Sequence, residues 1–231
     1  MADHLTEEEQ IEALKAWWAE NGVKTLVSIV LIVGGYFSYQ SWDQNKQLQA
    51  EIASGIWQNS MDVVASQAPG ENLDPSQQKA INGDADQLKN NHAGTGYAHF
   101  AAMLKAKVAV EGNDLDAAAA ELQWSLDNNP EPATEMIVRL RLARVEAARG
   151  NVDLALSMVQ GIDSATHKSA YEEAKGDFYL QLDNAEAAYT AYDAAIASND
   201  SNDPIIRNIL ELKIGQVPPA VVPDTEIGDS Q

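Results

Sequence analysis

From Thr25 to Trp42 the chain carries 18 consecutive residues without a charged side chain, dense in Val, Ile and Leu. No other feature constrains its folding as tightly, because a run of that length and polarity is close to the minimum that crosses a bilayer as a helix. Three environments can receive such a run: a membrane, the core of a soluble domain, or a leader removed after export. The flanks separate them. Trp17, Trp18 and Lys24 stand on one side, and Tyr36, Tyr39 and Trp42 on the other, as aromatic rings do at the two headgroup levels of a spanning helix. A core helix needs no aromatics at both ends. A leader requires a basic start and a small-x-small site after its apolar stretch, whereas the chain opens MADHLTEEEQ and continues YFSYQSW. An uncleaved anchor over residues 23–42 is therefore expected.

No second charge-free apolar run of that length occurs, so a single-pass protein is expected, with about 190 residues after the anchor, enough for one sizeable core. Lys15 and Lys24 precede the span and only Lys46 follows closely, which points to a cytoplasmic N-terminus and an outer C-terminal domain. Zero cysteines suit an oxidising compartment without requiring one. Beyond Trp42, 13 Lys and Arg stand against 29 Asp and Glu. Such a surface disfavours nucleic acid, whose phosphates need basic partners, and is repelled by anionic lipid.

The segment TEEEQIEALKAWWAENG places Thr6 and Glu9 at capping-box spacing, acids in the first turn, and Gly22 at its end. It predicts a short amphipathic helix over residues 1–22. After the anchor, Leu48, Ile52, Ile56, Trp57, Val63 and Val64 recur at helical spacing, so residues 43–95 read as a stalk helix followed by a loop. APGENLDPSQQ is turn-rich, and NGDAD, with Asp84 and Asp86 at alternate positions but no EF-hand Gly and Glu, reads as part of that loop.

From residue 96 to 214 one pattern recurs three times: a helix, a short Gly/Asn/Asp turn, and a second Ala-rich helix. The turns are read at Gly112-Asn113, Gly150-Asn151 and Asp183-Asn184, the first one residue longer than the others. Small residues stand where paired helices approach, at Ala118, Ala155 and Ala188. Leu122, Val159 and Tyr192 lie four residues on, on the same face. The second and third alanines are 33 apart and the first two 37. These segments resemble tetratricopeptide repeats, with a period of about 34. An all-α fold is expected: one transmembrane helix followed by a tetratricopeptide-repeat-like right-handed helical solenoid. A helix from Pro204 to Ile214 would cap it, and a disordered Pro-rich tail over 215–231 would follow.

The order of parts is more specific than the repeats. A short acidic helix ending in AENG, one anchor, and a domain containing LRLARVEAARGNVDLAL together resemble the YfgM family of ancillary subunits of the bacterial SecYEG translocon. The likeness is strongest in residues 7–45 and 136–196. It implies a single-pass inner-membrane subunit with a cytoplasmic N-terminus and a periplasmic repeat domain. The implied partners are SecYEG, a PpiD-like membrane-anchored chaperone, and the secreted client proteins passed between them. The residues themselves leave a second reading open, a helical-repeat scaffold for cell-envelope or division complexes.

No enzyme and no cofactor are expected. His4, His92, His99 and His167 are scattered without metal-site spacing, and phosphate-binding loops and nucleophile motifs do not occur. Binding surfaces remain. Groove positions carried over from tetratricopeptide arrays fall on His99, Ala102, Ala106 and Ala109 of the first repeat and on Ile137, Leu140 and Arg144 of the second. In the third they fall on Ala170, Glu173 and Asp177. Such a small, apolar, sparsely charged groove suits an amphipathic helix or an extended chain. In the anchor, Gly34 and Ser38 form a small-xxx-small pair at which another helix can approach closely in lipid.

Overall fold

The computed structural model describes residues 7–68, 70–200 and 204–217. The expected cap at Thr6, the opening of the last helix at Asp203, and the tail from 218 onward lie outside the described residues. Every regular element among the described residues is helical. The chain divides into two compact units, residues 1–52 and 53–231.

In the first unit, α1 (Glu7–Ala65) is already running at Gly22, so the expected end of a short helix there is absent. Gly22 has another use. A Cβ on it would stand 3.1 to 3.2 Å from the indole of Trp18, which folds over the glycine one turn away. An interior glycine costs about 1 kcal/mol, too little to stop a helix with strong formers on both sides. The apolar run is bare around its whole circumference, with Leu26, Val30, Leu31 and Ile32 all more than half exposed. Two of its hydroxyls bond back to the helix, Thr25 Oγ1 to the Asn21 carbonyl at 3.0 Å and Ser28 Oγ to that of Lys24 at 2.9 Å. A helix apolar on all sides, with its backbone polar groups bonded within it, is suited to lipid and not to water. At its far end Lys46 Nζ lies 3.8 Å above the Trp42 ring.

The second unit begins with the last turns of α1 and continues through α2 (Pro75–Asn91), which occupies the stretch expected to be loop. Asp74 caps it. The Asp74 carboxylate accepts from the Ser76 and Gln77 amides at 2.7 and 2.9 Å, and Gln77 Oε1 accepts from the Asp74 amide at 2.9 Å. Pro75 starts the helix without losing a hydrogen bond. Ile81, Ala85 and Leu88, at i, i+4 and i+7, are buried. NGDAD is thus helical, with Asp84 accepting from Ser60 Oγ at 3.0 Å and Asp86 paired to Lys105 at 2.6 Å.

Three helix pairs follow: α3 (Gly96–Glu111) with α4 (Leu115–Asp127), α5 (Pro132–Ala148) with α6 (Val152–Val159), and α7 (Lys168–Gln181) with α8 (Ala185–Ala197). Their turns share one construction. Asn113, Gly150 and Asp183 each adopt positive φ, at 59°, 89° and 56°. Each donates to the carbonyl three residues back, and the next residue donates five back, as in Asp114 to Ala109 at 2.8 Å, Asn151 to Glu146 at 2.9 Å and Asn184 to Tyr179 at 2.9 Å. This is the Schellman motif. The first turn is therefore no longer than the others, contrary to the sequence reading. Gly112 has ordinary right-handed φ, and Asn113 takes the left-handed position that Asn and Asp tolerate nearly as well as Gly. The four extra residues of the first interval lie between turns.

Ala118, Ala155 and Ala188 are fully buried five residues after each of those left-handed positions, and Leu122, Val159 and Tyr192 are buried one helical turn later. The core is a series of layers between helices. On α5, Val138, Leu142 and Val145 face α3 and α4, while Leu140, Ala143 and Ala147 face α6 and α7. A helix apolar on two sides is what stacking of repeats requires. The last helix, α9 (Pro204–Gly215), packs on α8, with Ile214 against the layer of Ala188 and Tyr192 and Leu210 buried. Val217, within the stretch expected to be disordered tail, is buried against Ala188 and Tyr192.

Candidate binding cleft and charged groove

Helices α3 and α5 both pack on α4, and a cleft of about 370 Å³ opens between them. Its floor is apolar. Met103, Ala106 and Val110 recur along one face of α3, Leu122 rises from α4, and Val145 closes the α5 side. Its rim is mostly basic, with Lys107 from α3 and Arg141 and Arg144 from α5, beside one acid, Glu111. Lys107 pairs with Glu111 one turn along. Arg141 is exposed, and it forms no ion pair among the described residues. Arg144 reaches across to Glu173 of α7 at 3.3 Å with its side chain 45% exposed, a contact of little energetic weight.

Ala106 and Arg144 are the two sequence-named groove residues that line this cleft. Three others are not surface at all: His99, Ala102 and Leu140 are buried between helices, and Ala106 itself is buried apart from the part facing the cleft. Small side chains on the first helix of a repeat serve the approach of neighbouring helices before they serve a ligand. His99 lies with its ring centroid 5.9 Å from that of Trp124, and its Nδ1 is 3.0 Å from Ser125 Oγ. Burial holds its pKa below the ordinary 6.5, against a small opposing pull from Glu131. Ile137 and Ala170 are half-buried edges of the core, and Ala109 is a third.

Glu173 and Asp177 stay accessible, yet they are engaged. Lys213 of α9 bonds to Glu173 Oε1 at 2.7 Å and to both oxygens of Asp177 at 2.8 Å, and Tyr192 donates to Asp177 Oδ1 at 2.7 Å. Burial works against charge on Lys213, but the two carboxylates outweigh it and raise its pKa. The third repeat's groove acids are thus clamped by the capping helix. No spacing in the sequence reveals this, because Glu173 and Lys213 are 40 residues apart and meet only when α9 docks. Arg141 and Arg144 were legible as one face of α5 from their i, i+3 spacing. Lys107 and Val110 required the neighbouring helix to be in place.

In the anchor, Gly34 is exposed, and a Cβ built on it would meet nothing within 4 Å. Ser38 is exposed one turn along. Among the described residues no group of three or more His, Cys, Asp and Glu side chains converges as a metal site.

The sequence model of the tetratricopeptide repeat-like domain family matches residues 15–218. Curated relatives that share the name ancillary SecYEG translocon subunit agree with the resemblance read from the sequence. That of Haemophilus influenzae is 29% identical over 84% of this chain and 91% of its own length. That of Escherichia coli K12 is 27% identical over 94% of this chain and 99% of its own, and that of Neisseria gonorrhoeae 23% identical over 93% and 98%. These names denote a subunit and no reaction. No solved structure gives a significant match.

Proposed function

Given that the chain belongs to the tetratricopeptide repeat-like domain family, we propose that it is a membrane-anchored binding subunit of the SecYEG translocon in the bacterial inner membrane. Its N-terminus lies in the cytoplasm and its repeat domain in the periplasm. The observation that carries this reading is the union, in one chain, of a helix bare and apolar on all sides with a repeat domain, aligned nearly end to end with relatives named for that translocon. The repeat domain offers emerging polypeptides a weak, tolerant surface and passes them to a PpiD-like membrane-anchored chaperone. Its contact residues are those of the cleft and its extension toward α7: Ala106, Ile137, Arg144, Glu173 and Asp177. The free face of the anchor at Gly34 and Ser38 is where a neighbouring span approaches.

Crosslinking from an exposed position beside Arg144 in intact cells tests the reading. Adducts with translocon subunits, with an anchored chaperone and with secreted chains in transit are the expected result. Adducts confined to cell-wall or division proteins would replace it with the scaffold reading. Protease added to sealed spheroplasts should degrade the repeat domain and spare the N-terminal turns. Full protection of the repeat domain would reverse the orientation.

A further inference from the structure

The α3–α5 cleft has a charge pattern at odds with the domain that holds it. Beyond the anchor, acids outnumber cations by more than two to one, yet three cations, Lys107, Arg141 and Arg144, border this one apolar floor with a single acid among them. Many cations elsewhere in the fold are held in ion pairs. Lys89 and Lys105 are held by Glu121, Arg149 by Glu146 and Asp116, and Lys213 by Glu173 and Asp177. Lys79, Lys168 and Arg207 form none among the described residues, but none of these three lines the cleft. On the rim, Lys107 is paired to Glu111. Arg141 has no such partner among the described residues, and Arg144 holds its own only at 3.3 Å.

Building on the binding reading above, we infer that the cleft is a docking site for an acidic amphipathic helix of a partner protein. The apolar stripe of such a helix lies over Met103, Val110 and Val145, and its carboxylates meet Arg141, Arg144 and Lys107. Charge complementarity selects this occupant over others. A basic or neutral peptide would leave the rim unanswered, and a second copy of this strongly acidic domain would be repelled at every approach except the cleft itself. Arg141 and Arg144, three residues apart, present two guanidinium forks to one face of the docked helix, where each can take a carboxylate in two parallel hydrogen bonds. Glu173 releases Arg144 as the partner arrives, since that exposed pair contributes little.

The test uses the full-length protein in detergent and three labelled peptides with identical leucine spacing, whose polar positions are all Glu, all Gln or all Lys. The Glu peptide should bind roughly tenfold more tightly than the Gln peptide, the scale of two or three exposed ion pairs, and the Lys peptide most weakly. Salt should erase the difference between Glu and Gln peptides. Arg141→Gln with Arg144→Gln should abolish the preference, and Val110→Asp should weaken the Glu peptide while leaving the melting temperature unchanged, because Val110 is exposed. Arg141→Glu with Arg144→Glu should transfer the preference to the Lys peptide. Equal binding of Glu and Gln peptides, or a preference that survives the double Gln variant, overturns the inference. So does a folded charge-reversed variant that still prefers Glu. Co-purification of translocon subunits with wild-type protein is measured in parallel. Its loss would overturn the subunit reading even where the peptide preference holds, and its presence without the preference would overturn the cleft alone.

Discussion

The ring of Tyr192 lies flat against the bare α-carbon of Gly176: a Cβ added there would stand 2.5 Å from Cδ1 and 2.8 Å from Cζ of the ring. Glycine at 176 is therefore what lets α7 and α8 close while a tyrosine fills the layer between them. The adjacent Asp177 then receives the tyrosine hydroxyl at 2.7 Å. Gly176→Ala should destabilise the repeat domain by about 1 to 3 kcal/mol, the usual cost of overpacking, despite the better helix propensity of alanine. Chemical denaturation of the full chain measures it. Unchanged or increased stability would mean the ring can swing aside.

Overpacking should recur at the alanines that open each second helix. Ala155 and Ala188 are fully buried five residues after the left-handed positions of the Schellman turns. Leucine at either should cost on the order of 1 to 3 kcal/mol. Unchanged melting temperatures in both variants would show that the layers can yield.

The buried imidazole of His99 makes the domain sensitive to acid. Its pKa is lowered in the fold by burial, so the unfolded chain binds the proton more readily than the folded one. Stability from neutral His99 is complete above its ordinary 6.5 and is lost as pH falls from there through the depressed folded value. His99→Gln keeps a hydrogen-bonding group near Ser125 and removes the titration. Melting curves of wild type and variant between neutral and mildly acid pH should converge as pH falls, and parallel curves would assign the acid sensitivity elsewhere.

Lys213 ties the capping helix to the third repeat through three charge-assisted contacts with its side chain 29% exposed. Lys213→Met leaves Glu173 with only the long Arg144 contact and Asp177 with only the Tyr192 hydroxyl. The loss should be about 1.5 to 3 kcal/mol before screening by the solvent that reaches the site, and smaller after it. Hydrogen exchange in α9 should quicken while exchange in α3 and α4 stays as in wild type, because repeat stability is a nearest-neighbour property. Uniform quickening across the domain would instead mark a single cooperative core.

Gly34→Ile with Ser38→Ile fills the free notch of the anchor and makes the span more apolar. Insertion should persist, and recovery of translocon or chaperone in mild detergent should fall. Undiminished recovery of both partners would move association wholly to the repeat domain.

The sequence alone determined the elements that depend on local chemistry. A charge-free run of 18 residues with aromatic flanks can be satisfied in few environments, and paired Ala-rich helices at a spacing near 34 residues can bury their faces only by stacking. The helix over Pro75–Asn91 was also within reach, in Asp74-Pro75 followed by Gln77 and in the spacing of Ile81, Ala85 and Leu88, although the turn residues ahead of it dominate a first reading. The register of the first turn was not, because Gly112 and Asn113 can each take the left-handed position and only the closed pair of helices selects Asn113. Tertiary structure alone decided which small and charged side chains remain for a partner. Burial and ion pairing join residues from different helices: His99 goes inside against Trp124, and Glu173 and Asp177 share one lysine from the far end of the chain. Arg141 and Arg144 are left at the edge of an apolar cleft that exists only when α3 and α5 both rest on α4.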